Sequence, residues 1–323
     1  MQQYDVIVVG LGAMGSAATY QLAKTGAKTL GLDRYTPPHI HGSTHGESRL
    51  TRQAIGEGFA YVPFVLRAHE IWREIEAKTG DDLLHQIGAL MISSDQAAET
   101  NAKKGFLDTT EAAAKKFNIE HELLSPNDVR NRFPNFLIGD NERAYYEPGA
   151  GYLRAEQCVD SQLKLAQKHG AVLQYGTMVE QILPQRDGTV KVRTSTEEYD
   201  AAKVILSAGP WVRSFLSEKW HNIFQPTRQV LHWLDIETDH QAAWENSPAF
   251  AWPHGEKPDD FFYGMPSLAA AHQFKMASEF YGAPTAPEET NRDVSKAEQD
   301  AFYARLPQNR LLGLNPNVVR SAT

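Results

Sequence analysis

Residues 4–34 read YDVIVVGLGAMGSAATYQLAKTGAKTLGLDR. The run Val6-Ile7-Val8-Val9 is too short and too β-branched to favour a helix, so it predicts a strand. Gly10-Leu11-Gly12-Ala13-Met14-Gly15 follows at once. A small-residue helical pattern then runs through Ala17, Ala18 and Leu22 to Gly26, which is placed to end it. Thr29-Leu30-Gly31-Leu32 predicts a second strand that leads to Asp33. The unit is β-α-β with an acid closing the second strand, the pattern of a dinucleotide site. Gly10 permits the tight turn, Gly12 lets the backbone approach a pyrophosphate, and Gly15 lets the helix lie close on the strand. The helix N-terminus supplies N–H donors and a positive dipole end for the phosphates. Asp33 is the acceptor for ribose hydroxyls, and its charge argues against a 2′-phosphate and so against NADP. The fingerprint alone does not separate FAD from NAD.

The bulk numbers limit the partners. With 323 residues and 41% hydrophobic content, the chain can bury a sizeable core, and its length suggests about two domains. A net charge of −8 argues against nucleic acid and against an anionic membrane surface. Mean hydropathy is −0.46, and no apolar run approaches membrane-spanning length. The first strand begins by Tyr4, which reads as leaving no room for a signal peptide. The single cysteine, Cys158, rules out an internal disulfide framework and a cysteine-rich metal site. A reducing cytoplasm is the expected compartment.

Beyond Asp33 the pattern breaks at Pro37-Pro38. Residues 39–58, HIHGSTHGESRLTRQAIGEG, read as a long ordered loop with at most a short helix, and long loops beside a cofactor site are often functional. An amphipathic helix is predicted over 61–78, stopped by Gly80. A strand follows over 88–92, a helix over 97–117, and a helix start with proline in its first turn at Ser125-Pro126-Asn127-Asp128. Residues 144–154, AYYEPGAGYLR, read as turn-rich and as a crossing between domains. A helix over 155–169 ends at Gly170. Strands are expected at 172–175, 178–183, 190–194 and 203–206, the last running into Ser207-Ala208-Gly209-Pro210-Trp211, where small residues can pass close to a cofactor. Further strands are expected near 230–236, 261–263 and 273–277, a helix over 293–303, and a loop leading toward a strand over 307–323.

Taken together, the first sixty residues with Thr44–Arg52 (THGESRLTR), the Glu147–Glu156 segment, the 203–211 strand and turn, and the 263–277 stretch resemble the monomeric sarcosine oxidase and N-methyltryptophan oxidase family. The resemblance implies an α/β (mixed α+β) fold with a Rossmann-like FAD-binding domain and an interleaved substrate domain built on a mixed β-sheet. The expected divisions are 1–84 with 152–222 for FAD and 85–151 with 223–323 for substrate. It also implies FAD, an N-substituted amino acid and dioxygen as partners, a monomer, and no metal. Hydride would leave the substrate for the flavin, the imine would hydrolyse to formaldehyde where the group is methyl, and dioxygen would leave as hydrogen peroxide. The family joins its flavin to a cysteine in a segment like R-S-x-T-C-x-Y. Arg320-Ser321-Ala322-Thr323 matches the opening of that segment, so the linking cysteine is expected beyond Thr323 and the chain reads as cut short. Cys158, in a predicted helix, is not the linker.

The resemblance extends the cofactor site from Gly10, Gly12, Ala13, Met14, Gly15 and Asp33 to Arg34, Ser43, Thr44, Arg49, Val179, Ala208, Gly209 and Trp211. It makes Arg52 the anchor of the substrate carboxylate, since arginine can bind a carboxylate with two parallel hydrogen bonds. Arg49 would lie over the flavin. The bland alternative pairs these arginines with Glu47 and Glu57 on a solvated loop. His45 stands beside the flavin or is simply a hydrogen-bonded loop histidine; His39, His41 and His45 lack the carboxylate or cysteine spacing of a metal site. Lys275 would supply the fixed charge that lets reduced flavin give an electron to dioxygen, against the alternative of a solvated strand lysine. Tyr263 lines the pocket or is a core tyrosine. Glu279 beside Lys275 resembles the fructosyl amino acid oxidases, so those substrates, cyclic imino acids, and a flavin-binding fragment without turnover stay open as alternatives.

Overall fold

The β-branched run at 6–9 lies inside strand β1 (Gln3–Val9), with Val6 and Val8 in one apolar cluster and Ile7 and Val9 in another. All four are buried, because both faces of the strand are covered. The structure is a computed structural model that describes residues 3–94, 105–255, 260–270, 272–279, 282, 284–306 and 310–323. β1 pairs in parallel with β2 (Thr29–Leu32) on one side and β12 (Glu198–Leu206) on the other. With β9 (Val172–Gln174), β10 (Val179–Pro184) and β11 (Val190–Thr194) they form a six-stranded sheet in the order β10-β11-β12-β1-β2-β9. Helices Ala13–Lys24 and Ala155–Lys168 pack side by side, and Val159 and Leu163 of the second close over Val6 and Val8.

A mixed eight-stranded sheet stands beside it. It runs β17 (Leu314–Ala322), β13 (Leu231–Ile236), β16 (Gln273–Ser278), β15 (Phe261–Pro266), β14 (Ala249–Pro253), β5 (Ala89–Ser94), β7 (Glu142–Glu147) and β6 (Glu122–Leu124), with only β14 and β5 parallel. Side chains alternate across β16. Phe274 and Met276 enter the large aromatic core with Trp244, Phe250 and Trp252, while Ala277 packs on the other face with Leu231 and Trp233. A three-stranded antiparallel sheet of β3 (Ser48–Thr51), β8 (Gly151–Arg154) and β4 (Leu84–His85) lies between the two.

The structure departs from the sequence reading in specific places. Residues 39–58 contain strand β3 and no helix, and 144–154 hold two strands, β7 and β8, around the turn at 148–150. Neither is visible as a local pattern: β3 is four residues long, and its hydrogen-bond partner β8 is about a hundred residues away, pairing Arg49 with Leu153. β12 starts at Glu198, five residues before the expected 203, because its polar half pairs with β11. β14, unmarked in the sequence, is buried at every position. The helix expected from 293 begins at Lys296, capped by Ser295. Helix Phe106–Phe117 falls within the expected 97–117, whose first part to residue 104 lies outside the described residues, as do 307–309 of the terminal stretch.

Candidate active site

The fingerprint turn is shaped by close packing that excludes side chains. Gly10 has φ +88°, and a Cβ there would lie 2.4 Å from the Ser207 carbonyl oxygen; one on Gly15 would lie 1.7 Å from the Gly10 carbonyl oxygen. Gly12 differs: a Cβ there would meet only Thr44 Oγ1, at 3.6 Å, so its bare backbone faces open space. Gly12 is also the N-cap of the helix and provides no side-chain cap, which leaves the first turn facing a cavity of 810 Å³. That volume is within the usual range for small-molecule sites, about 300–1,000 Å³. Asp33 is 6% exposed and accepts the Leu11 N–H at 2.7 Å on one oxygen and the Tyr35 N–H at 2.8 Å on the other. Two backbone donors leave lone pairs over for a ligand hydroxyl. A glycine turn tight at Gly10 and Gly15 and open at Gly12, a helix start where Thr44 Oγ1 accepts the Ala13 N–H at 3.3 Å, and a fixed buried carboxylate on one cavity fit a dinucleotide cofactor.

The cavity wall contains Gly10, Gly12, Ala13, Met14, Asp33 and Arg34 from the fingerprint, Ser43 and Thr44 from the following loop, and Val179, Ala208, Gly209 and Trp211 from the far side of the sheet. Gly15 and Arg49 are not on the wall. Gly15 packs beneath the turn, and Arg49 hydrogen-bonds from behind, Nη2 donating to the Ser43 carbonyl at 2.8 Å. His39 and Glu288, neither expected at the cofactor, also stand on the wall. His39 presents Nε2 3.4 Å from Asp33, and Glu288 pairs with Arg34 at 3.0 Å.

A second centre lies behind this loop, where one face of the eight-stranded sheet meets residues 43–49. Arg320, Trp233, Lys275 and Met265 stand opposite one another on four neighbouring strands. Lys275 is 1% exposed, so it is no solvated lysine. Its ammonium donates to the Gly46 carbonyl at 2.7 Å, the Ser48 carbonyl at 2.6 Å and Ser48 Oγ at 2.9 Å. Those bonds use all three donors, so Glu279 does not tie the ammonium down. Arg49 Nη1 shares the Ser48 carbonyl at 2.9 Å. Burial, and then the neighbouring Arg49 charge, pull the Lys275 pKa down to about 7. His45 is buried, and burial with Arg49 beside it holds its pKa below the usual imidazole value. Among the described residues no group of three metal-ligating side chains exists, His39, His41 and His45 included. Tyr263 is half-buried on β15, its pKa raised by burial and by the Glu279 carboxylate, with Arg49 opposing.

Arg52 is apart from this pair of cations. Its Nη2 contacts both oxygens of Glu57, at 2.6 and 2.7 Å, and its guanidinium lies 5.0 Å over the Phe106 ring. The pairing with Glu57 therefore exists, yet Arg52 is only 17% exposed, and its buried Nη1 has no hydrogen-bond partner among the described residues. Arg49 pairs with neither Glu47 nor Glu57. Glu47 instead meets Arg320 and accepts from Trp233 Nε1 at 3.1 Å and the Leu268 N–H at 3.1 Å.

Comparison with known proteins follows the same outline. A family profile described as FAD dependent oxidoreductase matches residues 5–320. The monomeric sarcosine oxidase of Bacillus sp. (strain NS-129) is 36% identical over 321 residues, covering 99% of this chain and 80% of that protein. The N-methyl-L-tryptophan oxidase of Yersinia pestis (strain Pestoides F) is 35% identical over 265 residues, 82% of this chain and 67% of that one. The open form of NikD, an amino acid oxidase of nikkomycin biosynthesis, superposes with a TM-score of 0.79 at 24% identity, over 100% of this chain and 81% of that one, a likeness of fold.

Proposed function

The chain belongs to the FAD-dependent oxidoreductase family, and on that premise we propose that it oxidises N-methylated amino acids, sarcosine or N-methyl-L-tryptophan, with dioxygen as acceptor. One observation carries the reading. Lys275 and Arg49 converge on the Ser48 carbonyl, and Arg49 reaches on to Ser43, a wall residue of the fingerprint cavity. One buried and one half-buried cation beside a dinucleotide cavity suit chemistry in which negative charge appears in a dry place.

FAD, when bound, would supply the acceptor for hydride from the C–H bond beside the substrate nitrogen and pass the electron pair to dioxygen, so that the products are an imine, formaldehyde after hydrolysis, and hydrogen peroxide. The chain's own residues would bind and orient. The 10–15 turn and helix start would hold the pyrophosphate, and Asp33 the ribose. Arg49 and His45 would lie against the ring system, and Lys275 would hold a proton and its charge where dioxygen arrives. Arg52, with Nη1 unused, would accept the substrate carboxylate, and Tyr263 and Glu279 would line the substrate side. We assign residues 1–84 with 152–222 to the cofactor unit and 85–151 with 223–323 to the substrate unit, supported by the strands each sheet draws on. We also propose a monomer, and a flavin not bonded to Cys158. That thiol is buried in its helix with its pKa pushed up to about 12 by burial and by Glu76 and Glu156, and it does not line the cavity.

The test is an absorption spectrum of the purified protein with a peroxide assay over sarcosine, N-methyl-L-tryptophan, proline and fructosyl amino acids. A flavin band with peroxide from the N-methyl substrates is expected. Tight NADH binding without a flavin band would sink the reading, and turnover confined to fructosyl or cyclic substrates would replace the substrate class.

A further inference from the structure

Strand β3 carries Arg49 and leads to Arg52, and it is gripped at both ends by carboxylates from a single segment. Before it, Glu156 Oε1 accepts the N–H groups of Gly46 at 2.7 Å and Glu47 at 3.1 Å. After it, Glu147 accepts the Gln53 N–H at 2.5 Å on Oε1 and the Ala54 N–H at 3.0 Å on Oε2. Between Glu147 and Glu156 the chain forms β8, the antiparallel partner of β3. The ladder ends at Thr51 opposite Gly151, so Arg52, Gln53 and Ala54 have already left the sheet, and Glu147 supplies the acceptors their backbone would otherwise lack.

Glu147 is 1% exposed and also accepts the Tyr145 hydroxyl at 3.0 Å. Burying a carboxylate is costly, and it is sustained only where hydrogen bonds satisfy the oxygens. A well-packed apolar residue would fill the same space at less cost. What only the carboxylate provides is a fixed position for two consecutive peptide groups directly after Arg52. Glu156 does the same before β3, at the peptide whose Gly46 carbonyl receives the Lys275 ammonium.

We propose that Glu147 and Glu156 are positioning residues: Glu147 sets where Arg52 presents its guanidinium, and Glu156 sets the carbonyls at 46–48 that seat Lys275. The proposal rests on the functional reading above for what Arg52 meets, but not for where Arg52 stands. It is tested with Glu147→Gln and Glu156→Ala. The amide at 147 keeps one accepting oxygen and turns an N–H toward the second backbone donor, whereas at 156 both donors share Oε1, so alanine is needed to remove their acceptor.

Three measurements are compared with the unaltered protein: phenylglyoxal modification of Arg52 mapped by mass spectrometry, amide exchange at 46–47 and 53–54, and the affinity of the flavin-loaded protein for phenylacetate, a carboxylate with no amine. Glu147→Gln should speed Arg52 modification by about fivefold, raise exchange at 53–54 only, and weaken phenylacetate by about tenfold, the loss of one charge-assisted contact. Glu156→Ala should raise exchange at 46–47 only and leave Arg52 modification unchanged. A purely structural role would lower thermal midpoints without this crossed pattern, so a folded Glu147→Gln protein with unchanged Arg52 reactivity and phenylacetate affinity overturns the proposal. Should Glu147→Gln not fold, Glu147→Asp keeps the charge but cannot span both donors; intermediate effects support the proposal and unaltered values overturn it. If the unaltered protein binds no phenylacetate while the crossed exchange and modification pattern appears, the functional reading fails and the positioning of Arg52 stands.

Discussion

Lys275 has its side chain in a space where an ammonium is held by three hydrogen bonds and opposed by a second cation. The balance leaves a pKa of about 7, against an ordinary lysine value of 10.5. The sign follows: the charge is present below about pH 7 and is lost as pH rises through it. If the ammonium serves dioxygen, reoxidation of the reduced protein falls as pH rises through that region, and Lys275→Met removes the dependence. Stopped-flow traces should then show reoxidation slowed by about a hundredfold, roughly 3 kcal/mol of barrier, with anaerobic reduction by substrate little changed. Unchanged reoxidation in the Met protein would leave the oxygen site unassigned. Arg52 offers a second test. Arg52→Lys keeps the charge and loses the planar fork, so KM for an amino acid substrate should rise about tenfold or more while amines without a carboxylate suffer less. Equal losses would make Arg52 structural. That Lys275 is buried was not legible in its neighbours along the chain, since a lone strand lysine is ordinarily exposed. Its acceptors are about 230 residues away in a loop whose strand is itself invisible to local pattern.

Elements were legible where their signals are local. The helix start at Ser125-Pro126 shows as a capping box in which Ser125 accepts the Asp128 N–H and Asp128 returns to the Ser125 backbone. The same motif at Ser295 and Glu298 starts the last helix at Lys296, three residues after the expected 293. It supplies a prediction at this scale. Ser295→Ala should destabilise the protein by about 1 kcal/mol in urea unfolding at neutral pH. The Glu298 carboxyl is held down to about 2 by the Ser295 backbone N–H and by Arg228, against an ordinary 4.5. A depressed carboxyl contributes above its unfolded value and is lost as pH falls through the folded one, so Glu298's share of the motif is present at pH 6 and fades between about pH 4.5 and 2. A Ser295→Ala penalty that grows on acidification would contradict this. Strands β3 and β8 show the opposite limit: four residues each, polar in part, they become strands only because they meet.

At the scale of the whole molecule, residues 43–49 run from the fingerprint cavity to the eight-stranded sheet, and Glu47, with Lys275, fastens them there. Its φ of +72° is unusual for a residue with a side chain, and its carboxylate accepts from Trp233 Nε1 and the Leu268 N–H while also meeting Arg320. Two forces could hold this junction, and their magnitudes differ. Arg320 is 46% exposed, and an ion pair to such a side chain contributes about 0–1 kcal/mol. Trp233 is 1% exposed, and a buried donor left without an acceptor costs about 1–3 kcal/mol; the N–H of half-buried Leu268 adds up to as much. The hydrogen bonds should therefore outweigh the charge. Glu47→Gln, which keeps an accepting oxygen and loses the ion pair, should unfold within about 1 kcal/mol of the unaltered protein. Glu47→Ala, which strands both donors, should lose about 2–5 kcal/mol, and because the same loop carries the Gly46 and Ser48 carbonyls it should also weaken FAD binding measured by flavin fluorescence. Denaturant unfolding read by tryptophan fluorescence decides between the two forces. If the Gln protein is as unstable as the Ala protein, the ion pair with Arg320, and not the two N–H donors, holds the junction.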